Sequence, residues 1–146
     1  MVIETTFLRR EALIDALLTS VSAGDLDVAD TFFTAEARIV RVRYADGIAE
    51  GAEVIAHDRD GVRSWFDQNI ARSLLVRATE YWEEGDCLAV RAEWSLSGFD
   101  GERVCSSSLG IYDFEGDLIR LLRVTSRDEE GRGRASRCDG MQLRVD

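Results

Sequence analysis

Two side chains in the sequence could move protons. Glu80 alternates with Val76 and Ala78 on the more apolar side of a strand pattern. Burial there would raise the pKa of its carboxyl group toward the range useful for acid–base catalysis. A register shift would instead leave Glu80 exposed at the surface. His57 is the single histidine, and it could carry protons near neutral pH or be an exposed loop residue.

Hydrogen-bond donors and aromatic rings favour a site for a small organic molecule. Tyr112 and Ser108 could donate hydrogen bonds to a carbonyl group, or they could be ordinary core hydroxyls. Trp65, Trp82 and Trp94 are flat surfaces suited to a polycyclic ligand, or they are plain core aromatics. Catalytic roles are therefore assigned to Glu80, His57 and Tyr112, and the remaining residues are candidates for binding.

Two arginines are further candidates for ligand binding. Arg41 and Arg123 would be costly to bury unless a carboxylate of the protein or the ligand paired with them. If they face inward, they indicate an anionic or enolate-bearing ligand. Placement at the surface is the alternative for each.

Composition excludes several classes of function. The formal net charge of -10 disfavours nucleic acid and anionic membranes as partners, because both attract basic surfaces. All 18 basic residues are arginine, so Schiff-base chemistry through a lysine is excluded. The sequence has no apolar run near the roughly 18 residues of a membrane span. We therefore expect a cytoplasmic protein without a signal peptide or membrane anchor.

Metal and redox sites are not indicated. The 3 cysteines lack CxxC spacing, and one histidine cannot form an HxxxH or HxH pair. We expect reduced thiols, no metal and no cofactor.

Periodicity predicts an α+β fold. Apolar residues repeat with helical spacing over residues 7–22, 26–33 and 61–71. Asp46-Gly47 predicts a two-residue hairpin turn, which leads into a return strand over 48–56. Four further strands, separated by short glycine-containing turns, are predicted over 74–83, 87–97, 103–114 and 118–127. Residues 1–127 would form one domain, and residues 128–146 a polar C-terminal extension.

Several short motifs occupy defined places in this order of elements. They are Ala23-Gly24-Asp25-Leu26, Phe32-Phe33, Gly61-Val62-Arg63-Ser64-Trp65-Phe66, Gly85-Asp86 before Leu88-Ala89-Val90-Arg91, and Gly110-Ile111-Tyr112-Asp113-Phe114. Together, over residues 8–127, they resemble the nuclear transport factor 2-like superfamily, and within it the SnoaL-like polyketide cyclases and ketosteroid isomerases.

The resemblance implies a cone: a curved antiparallel sheet packed against N-terminal helices, with a central pocket on the helix-covered face. It also implies that the opposite face often pairs with a second subunit, which predicts a homodimer. Strand alternation then distributes side chains between the faces. The pocket face would carry Ile39, Arg41, Leu88, Val90, Ala92, Trp94, Leu96, Ser106, Ser108, Gly110, Tyr112, Phe114, Ile119, Leu121, Arg123 and Thr125, and Arg43 is left open. The outer face would carry Arg91, Glu93, Cys105, Ser107, Leu109 and Ile111.

The known catalytic sets of the resembled enzymes are incomplete here. Positions of the ketosteroid isomerase base, tyrosine and aspartic acid correspond to Arg41, Leu17 and Gly110, so that mechanism is not expected. Arg91-Ala92-Glu93 echoes the Arg-x-Asp of limonene epoxide hydrolases, but alternation turns Arg91 and Glu93 away from the pocket.

Two functions follow from the resemblance. The first is a cyclase- or isomerase-type enzyme of secondary metabolism that cyclises, isomerises or dehydrates a polyketide- or terpenoid-like substrate. In it, Tyr112 or an arginine would stabilise an enolate, and Glu80 or His57 would move the proton. The alternative is a non-catalytic module that binds a small hydrophobic or polycyclic molecule, or that dimerises.

Overall fold

The computed structural model describes residues 2–45, 48–98, 100–126 and 136–137 of the chain. Its helices are α1 (Val2–Ser22), α2 (Leu26–Ala29) and α3 (Arg59–Ile70), with a 3₁₀ turn at Asp30–Phe32. Its strands are β1 (Phe33–Ala45), β2 (Ile48–Ala56), β3 (Leu75–Glu84), β4 (Cys87–Ser97), β5 (Arg103–Glu115), β6 (Leu118–Ser126) and β7 (Ser136–Arg137). In this part of the chain, no helix is long and apolar enough to cross a membrane. The cytoplasmic location remains a prediction.

The long helix α1 covers the sheet with one apolar stripe. Ile14, Leu17, Leu18 and Val21 recur at helical spacing, and all four are buried. The helix begins five residues before the predicted position, at Val2, and it ends at Ser22 as expected. Gly24 follows with a φ of 74°, a left-handed conformation that glycine adopts without steric strain.

The third helix starts at a side-chain cap. Asp58 accepts a hydrogen bond from the backbone N–H of Gly61 at 2.8 Å, which satisfies one free donor of the first turn. Val62 and Phe66, one turn apart, are both buried against the core. The cap therefore fixes where α3 begins, and the two apolar residues determine which of its faces meets the sheet.

One curved sheet forms the other layer. Its strand order is β2-β1-β6-β5-β4-β3, and β7 pairs with β5. All neighbours are antiparallel except β1 and β6, which are parallel. The predicted α+β class with a curved sheet under N-terminal helices is confirmed. Ala45 pairs with Ile48, so two residues connect β1 to β2; Asp46 and Gly47 themselves lie outside the described residues.

The predicted C-terminal extension contributes one short strand. Ser136 and Arg137 pair with Cys105 and Val104 of β5. The sequence allowed an edge strand in this extension, but at the alternating residues Met141, Leu143 and Val145, which lie outside the described residues. The rest of 128–146 lies outside the described residues, and the domain boundary at 127 remains a prediction. The expectation of reduced thiols is wrong for Cys105, which is disulfide-bonded, whereas Cys87 is free.

Candidate binding site

A central cavity of about 410 Å³ lies between the concave sheet face and helices α1 and α3. This volume falls within the range of small-molecule sites in proteins. Its lining comes from every strand of the sheet except β2 and β7 and from both helices. The lining residues are Leu18, Val21, Arg41, Trp65, Phe66, Asn69, Arg72, Leu74, Val76, Val90, Ala92, Trp94, Leu96, Ser108, Gly110, Tyr112, Leu122 and Val124.

Strand β4 forms an apolar wall of the cavity. Val90, Ala92, Trp94 and Leu96 alternate along the strand, and their side chains share one face. The register between β4 and β5 is unbroken over these residues, so the alternation holds along the whole wall. The structure thus places Val90 and Trp94 on the cavity face, as the sequence predicted.

Strand β5 brings two hydroxyl groups to the cavity. Ser108 and Tyr112 both face it, with Gly110 between them. Tyr112 is only 6% exposed, and burial raises the pKa of its phenol because desolvation disfavours the phenolate. Tyr112 therefore remains neutral at physiological pH and can donate a hydrogen bond.

Helix α3 and the segment after it supply further polar groups. Trp65 lines the cavity beside Phe66, with their ring centroids 5.2 Å apart. The Nδ2 of Asn69 donates to the backbone carbonyl of Trp65 at 2.8 Å, which fixes the Asn69 amide. The Nε of Arg72 donates to the carbonyl of Ser97 at 3.1 Å and so ties this end of α3 to β4.

The sequence interpretation missed Asn69 and Arg72 as lining residues. Asn69 is four residues after Trp65 on α3, which is one helical turn, so a helical projection from Trp65 would have found it. Arg72 follows the end of the helix, where periodicity carries no signal.

The polar lining combines arginines with neutral hydroxyl and amide groups. Arg41 joins it from β1, as predicted, beside Arg72, Ser108 and Tyr112. Within the described part of the chain, no aspartate, glutamate, histidine or cysteine lines the cavity. The site is therefore rich in hydrogen-bond donors and complementary to an electron-rich oxygen, not to a cation.

The predicted cavity positions of Glu80 and Trp82 are wrong. A β-bulge between Ala78 and Glu80 inserts Thr79, which shifts the alternation by one residue. Tyr81 takes the inward position and donates to Asp15 at 3.2 Å. Glu80 is exposed, and Trp82 instead donates from Nε1 to a carboxylate of its own strand, Glu84, at 3.0 Å.

Arg123 is also misplaced by the prediction, for the same kind of reason. A register shift in the β5–β6 pair leaves Arg120 unpaired, so Leu122 and Val124 face the cavity. Arg123 is exposed on the outer face, 3.8 Å from the sulfur of Cys87. Leu121 and Thr125 are also absent from the cavity lining, so their predicted positions there are wrong as well, although Thr125 is buried. Leu122 and Val124, the apolar residues on either side of Arg123, were the signal in the sequence that this face, and not that of Arg123, points to the cavity.

His57 does not reach the cavity. It lies in the bend between β2 and α3, is exposed, and is absent from the lining. The alternative that the sequence left open, an exposed loop residue, describes its position.

The residues of the Arg91-Ala92-Glu93 motif alternate between the two faces of β4. Ala92 lines the cavity, while Glu93 accepts a hydrogen bond from Arg77 of β3 at 3.1 Å on the outer face. This cross-strand ion pair is the arrangement expected from alternation. The structure therefore provides no Arg-x-Glu pair inside the cavity.

Comparison with known proteins agrees with this architecture. A model of the SnoaL-like domain matches residues 14–122 of the chain. No curated protein matches the sequence.

Solved structures share the fold at low sequence identity. The epoxide hydrolase/cyclase-like enzyme SalBIII, which acts in pyran ring formation in the polyether salinomycin, is 18% identical, with a TM-score of 0.66 over 82% of this chain and 91% of that chain. A protein from Jannaschia sp. CCS1, described as a SnoaL-like polyketide cyclase, is 13% identical, with a TM-score of 0.65 over 82% and 85%. A cystatin-fold protein from Novosphingobium aromaticivorans is 20% identical, with a TM-score of 0.62 over 79% and 96%.

Proposed function

The chain belongs to the SnoaL-like domain family, and from that premise we propose that it binds a small hydrophobic or polycyclic molecule in the central cavity and acts on it without a cofactor. The reaction would be cyclisation, isomerisation or dehydration of a polyketide- or terpenoid-like substrate of secondary metabolism. One observation carries the proposal: a cavity of about 410 Å³ has apolar walls and a polar lining rich in hydrogen-bond donors.

In this proposal the protein contributes hydrogen-bond donors and positive charge that stabilise an oxyanion of the substrate. These three reactions can all build negative charge on a carbonyl oxygen as an enolate forms. The neutral phenol of Tyr112 would donate to that oxygen, and the guanidinium of Arg41 would add positive charge beside it. Donors that are already in position need no reorganisation when the charge appears.

The proposed mechanism assigns no proton transfer to Glu80 or His57. Both side chains are exposed and outside the lining. A carbon acid between two carbonyl groups, as in a polyketide, would release its proton to water once its enolate is stabilised. A substrate with such carbonyl groups therefore suits a lining of hydrogen-bond donors that has no general base in the described ranges of the chain.

A second candidate is a non-catalytic ligand-binding module of the same fold. The observation that favours it is the lining itself, which has no carboxylate or imidazole among the described residues. Such a module would hold the same class of ligand through the same donors, without turnover.

Incubation with oligoketide and terpenoid ketone substrates separates the two functions. Product formation with recovery of unchanged protein supports the enzyme, and saturable binding without product supports the module. For the enzyme, Tyr112→Phe should lower kcat by about 100-fold, the loss typical when one oxyanion donor is removed. Full activity of that variant would refute the role of Tyr112.

A further inference from the structure

We propose that Gly110 is a positioning residue, whose missing side chain lets the Tyr112 ring lie along β5 and brings its hydroxyl toward Ser108. Ser108, Gly110 and Tyr112 then form the oxygen-binding end of the cavity. The inference rests on the proposed function and deepens it, because it names a carbonyl or enolate oxygen as the group recognised there.

The first support is the close approach of the Tyr112 ring to Gly110. A Cβ atom on Gly110 would lie 3.0 Å from Cε1 of Tyr112 and 3.5 Å from its Cζ, as well as 3.3 Å from Cδ1 of Leu122. Carbon atoms at optimal separation are about 3.5–4.0 Å apart. Even an alanine would therefore require the Tyr112 ring to shift by a few tenths of an ångström.

The backbone at Gly110 does not itself require glycine. Among the described residues the left-handed glycines are Gly24, Gly85, Gly101 and Gly116, and Gly110 is not one of them. Glycine inside a strand weakens the strand and often marks the close approach of another group. Here the approaching group is the ring of Tyr112.

The direction of the ring follows from the register. Ser108, Gly110 and Tyr112 occupy successive positions on one face of β5, and their pairing with β4 is regular. Alternate residues of a strand are about 6.6 Å apart. Because Cζ carries the hydroxyl and lies over Gly110, the hydroxyl is displaced along the strand from the Tyr112 backbone toward Ser108.

The hydrogen-bonding state of Tyr112 provides a second, independent support. The structure gives the Tyr112 hydroxyl no hydrogen bond to the described residues, and this oxygen is not one of the buried polar atoms without a partner, because it faces the cavity. A hydroxyl at the cavity wall that has no protein partner can form a hydrogen bond with water or with a ligand. A ligand oxygen bound between Tyr112 and Ser108 would accept such a hydrogen bond.

A ligand-free experiment tests the position of the ring. The 3 tyrosines are labelled as 3-fluorotyrosine, and Tyr112→Phe assigns the Tyr112 resonance in the fluorine spectrum. Gly110→Ala should shift the Tyr112 resonance more than the other two. Gly51→Ala is the matched control, because a Cβ there meets nothing within 4 Å, and it should shift none. An unmoved Tyr112 resonance in Gly110→Ala would overturn the proposal.

A binding experiment tests the oxygen-binding end. Wild type should bind 2-acetylnaphthalene about fivefold more tightly than 2-ethylnaphthalene, which has the same ring system without the oxygen, as one hydrogen bond would give. Gly110→Ala and Tyr112→Phe should each abolish this preference, and the double variant should lose nothing more, because the two residues act as one unit. Retention of the full preference in Gly110→Ala would contradict the proposal.

The two experiments test the ligand class and the role of Gly110 independently of each other. If neither naphthalene binds the wild type, the proposed ligand class is wrong, while the fluorine spectra still decide the role of Gly110. If both bind equally, the oxygen-binding end is refuted. If Gly110→Ala does not fold, Gly110→Ala/Tyr112→Leu is made: recovery of folding supports the contact between ring and Gly110, and failure to recover refutes it.

Discussion

Tyr112 shows how burial determines the chemistry of a side chain. Its neutral form is favoured because the phenolate cannot be solvated inside the cavity wall, and this raises its pKa. The same residue on the surface would be an ordinary tyrosine. The sequence identified Tyr112, Ser108, Trp65 and Trp94 as candidates and the structure brings them together, because their strands and helix keep regular periodicity up to these positions.

The pKa of Tyr112 leads to a prediction about stability at alkaline pH. The folded state holds the phenol proton more tightly than the unfolded chain, whose tyrosines titrate near pH 10. The stabilisation is therefore complete below about pH 10 and is lost as pH rises further. Urea unfolding from pH 8 to pH 11 should show a steeper loss for wild type than for Tyr112→Phe. Parallel curves for the two proteins would show that Tyr112 is not buried as described.

The tryptophans make a second prediction at the scale of single residues. Trp65 and Trp94 line the cavity, whereas Trp82 lies outside it. Quenching of protein fluorescence by 2-acetylnaphthalene should persist in Trp82→Phe and fall in Trp94→Phe, measured at equal occupancy. Loss of quenching in Trp82→Phe alone would place the ligand on the other face of the sheet.

Replacement of Glu80 tests the finding that its carboxylate lies outside the cavity. Its carboxylate is exposed, so Glu80→Gln should change ligand affinity and turnover less than twofold and stability by no more than about 0.5 kcal/mol. Isothermal calorimetry and thermal unfolding measure these effects, with Tyr112→Phe as the variant expected to lose function. A large loss of turnover in Glu80→Gln would mean that the carboxylate reaches the substrate.

At the scale of elements, the sequence predicted most strand boundaries and failed at bulges. The strand Ile48–Ala56 and the strand Cys87–Ser97 lie where alternation and turn residues placed them. Thr79 and Arg120 are each an extra residue in their strand, and each shifts the alternation by one residue. A strict two-residue repeat cannot predict such an insertion. This is why Glu80, Trp82 and Arg123 were assigned to the wrong face.

The cap of α3 yields a prediction about stability. Asp58 satisfies the backbone N–H of Gly61, and α3 carries Trp65 and Asn69 into the cavity. Asp58→Ala should lower the free energy of unfolding by about 1 kcal/mol. Chemical denaturation measures this, with Asp60→Ala, in the same first turn, as the control expected to cost less. Equal losses in both variants would show that charge near the helix start, and not the cap, is responsible.

At the scale of the whole molecule, the described helices cover one face of the sheet and do not cover the other. Leu109 and Ile111 are half-buried on that outer face. We propose that it pairs with a second copy of the chain, as the resemblance implied. Sedimentation should give a dimer at micromolar concentration, and Ile111→Glu should give monomers, because it adds charge to a chain that is already at -10. A monomeric wild type would refute this assembly.

The central claim is that the cavity recognises an electron-rich oxygen on an apolar body. The most direct measurement is calorimetric titration of wild type with 2-acetylnaphthalene and with 1-(2-naphthyl)ethylamine, in which an ammonium group replaces the ketone on the same skeleton. A donor lining without acidic side chains predicts saturable binding of the ketone and at least tenfold weaker binding of the amine, since a buried cation needs a compensating partner. Equal or tighter binding of the amine would contradict the account.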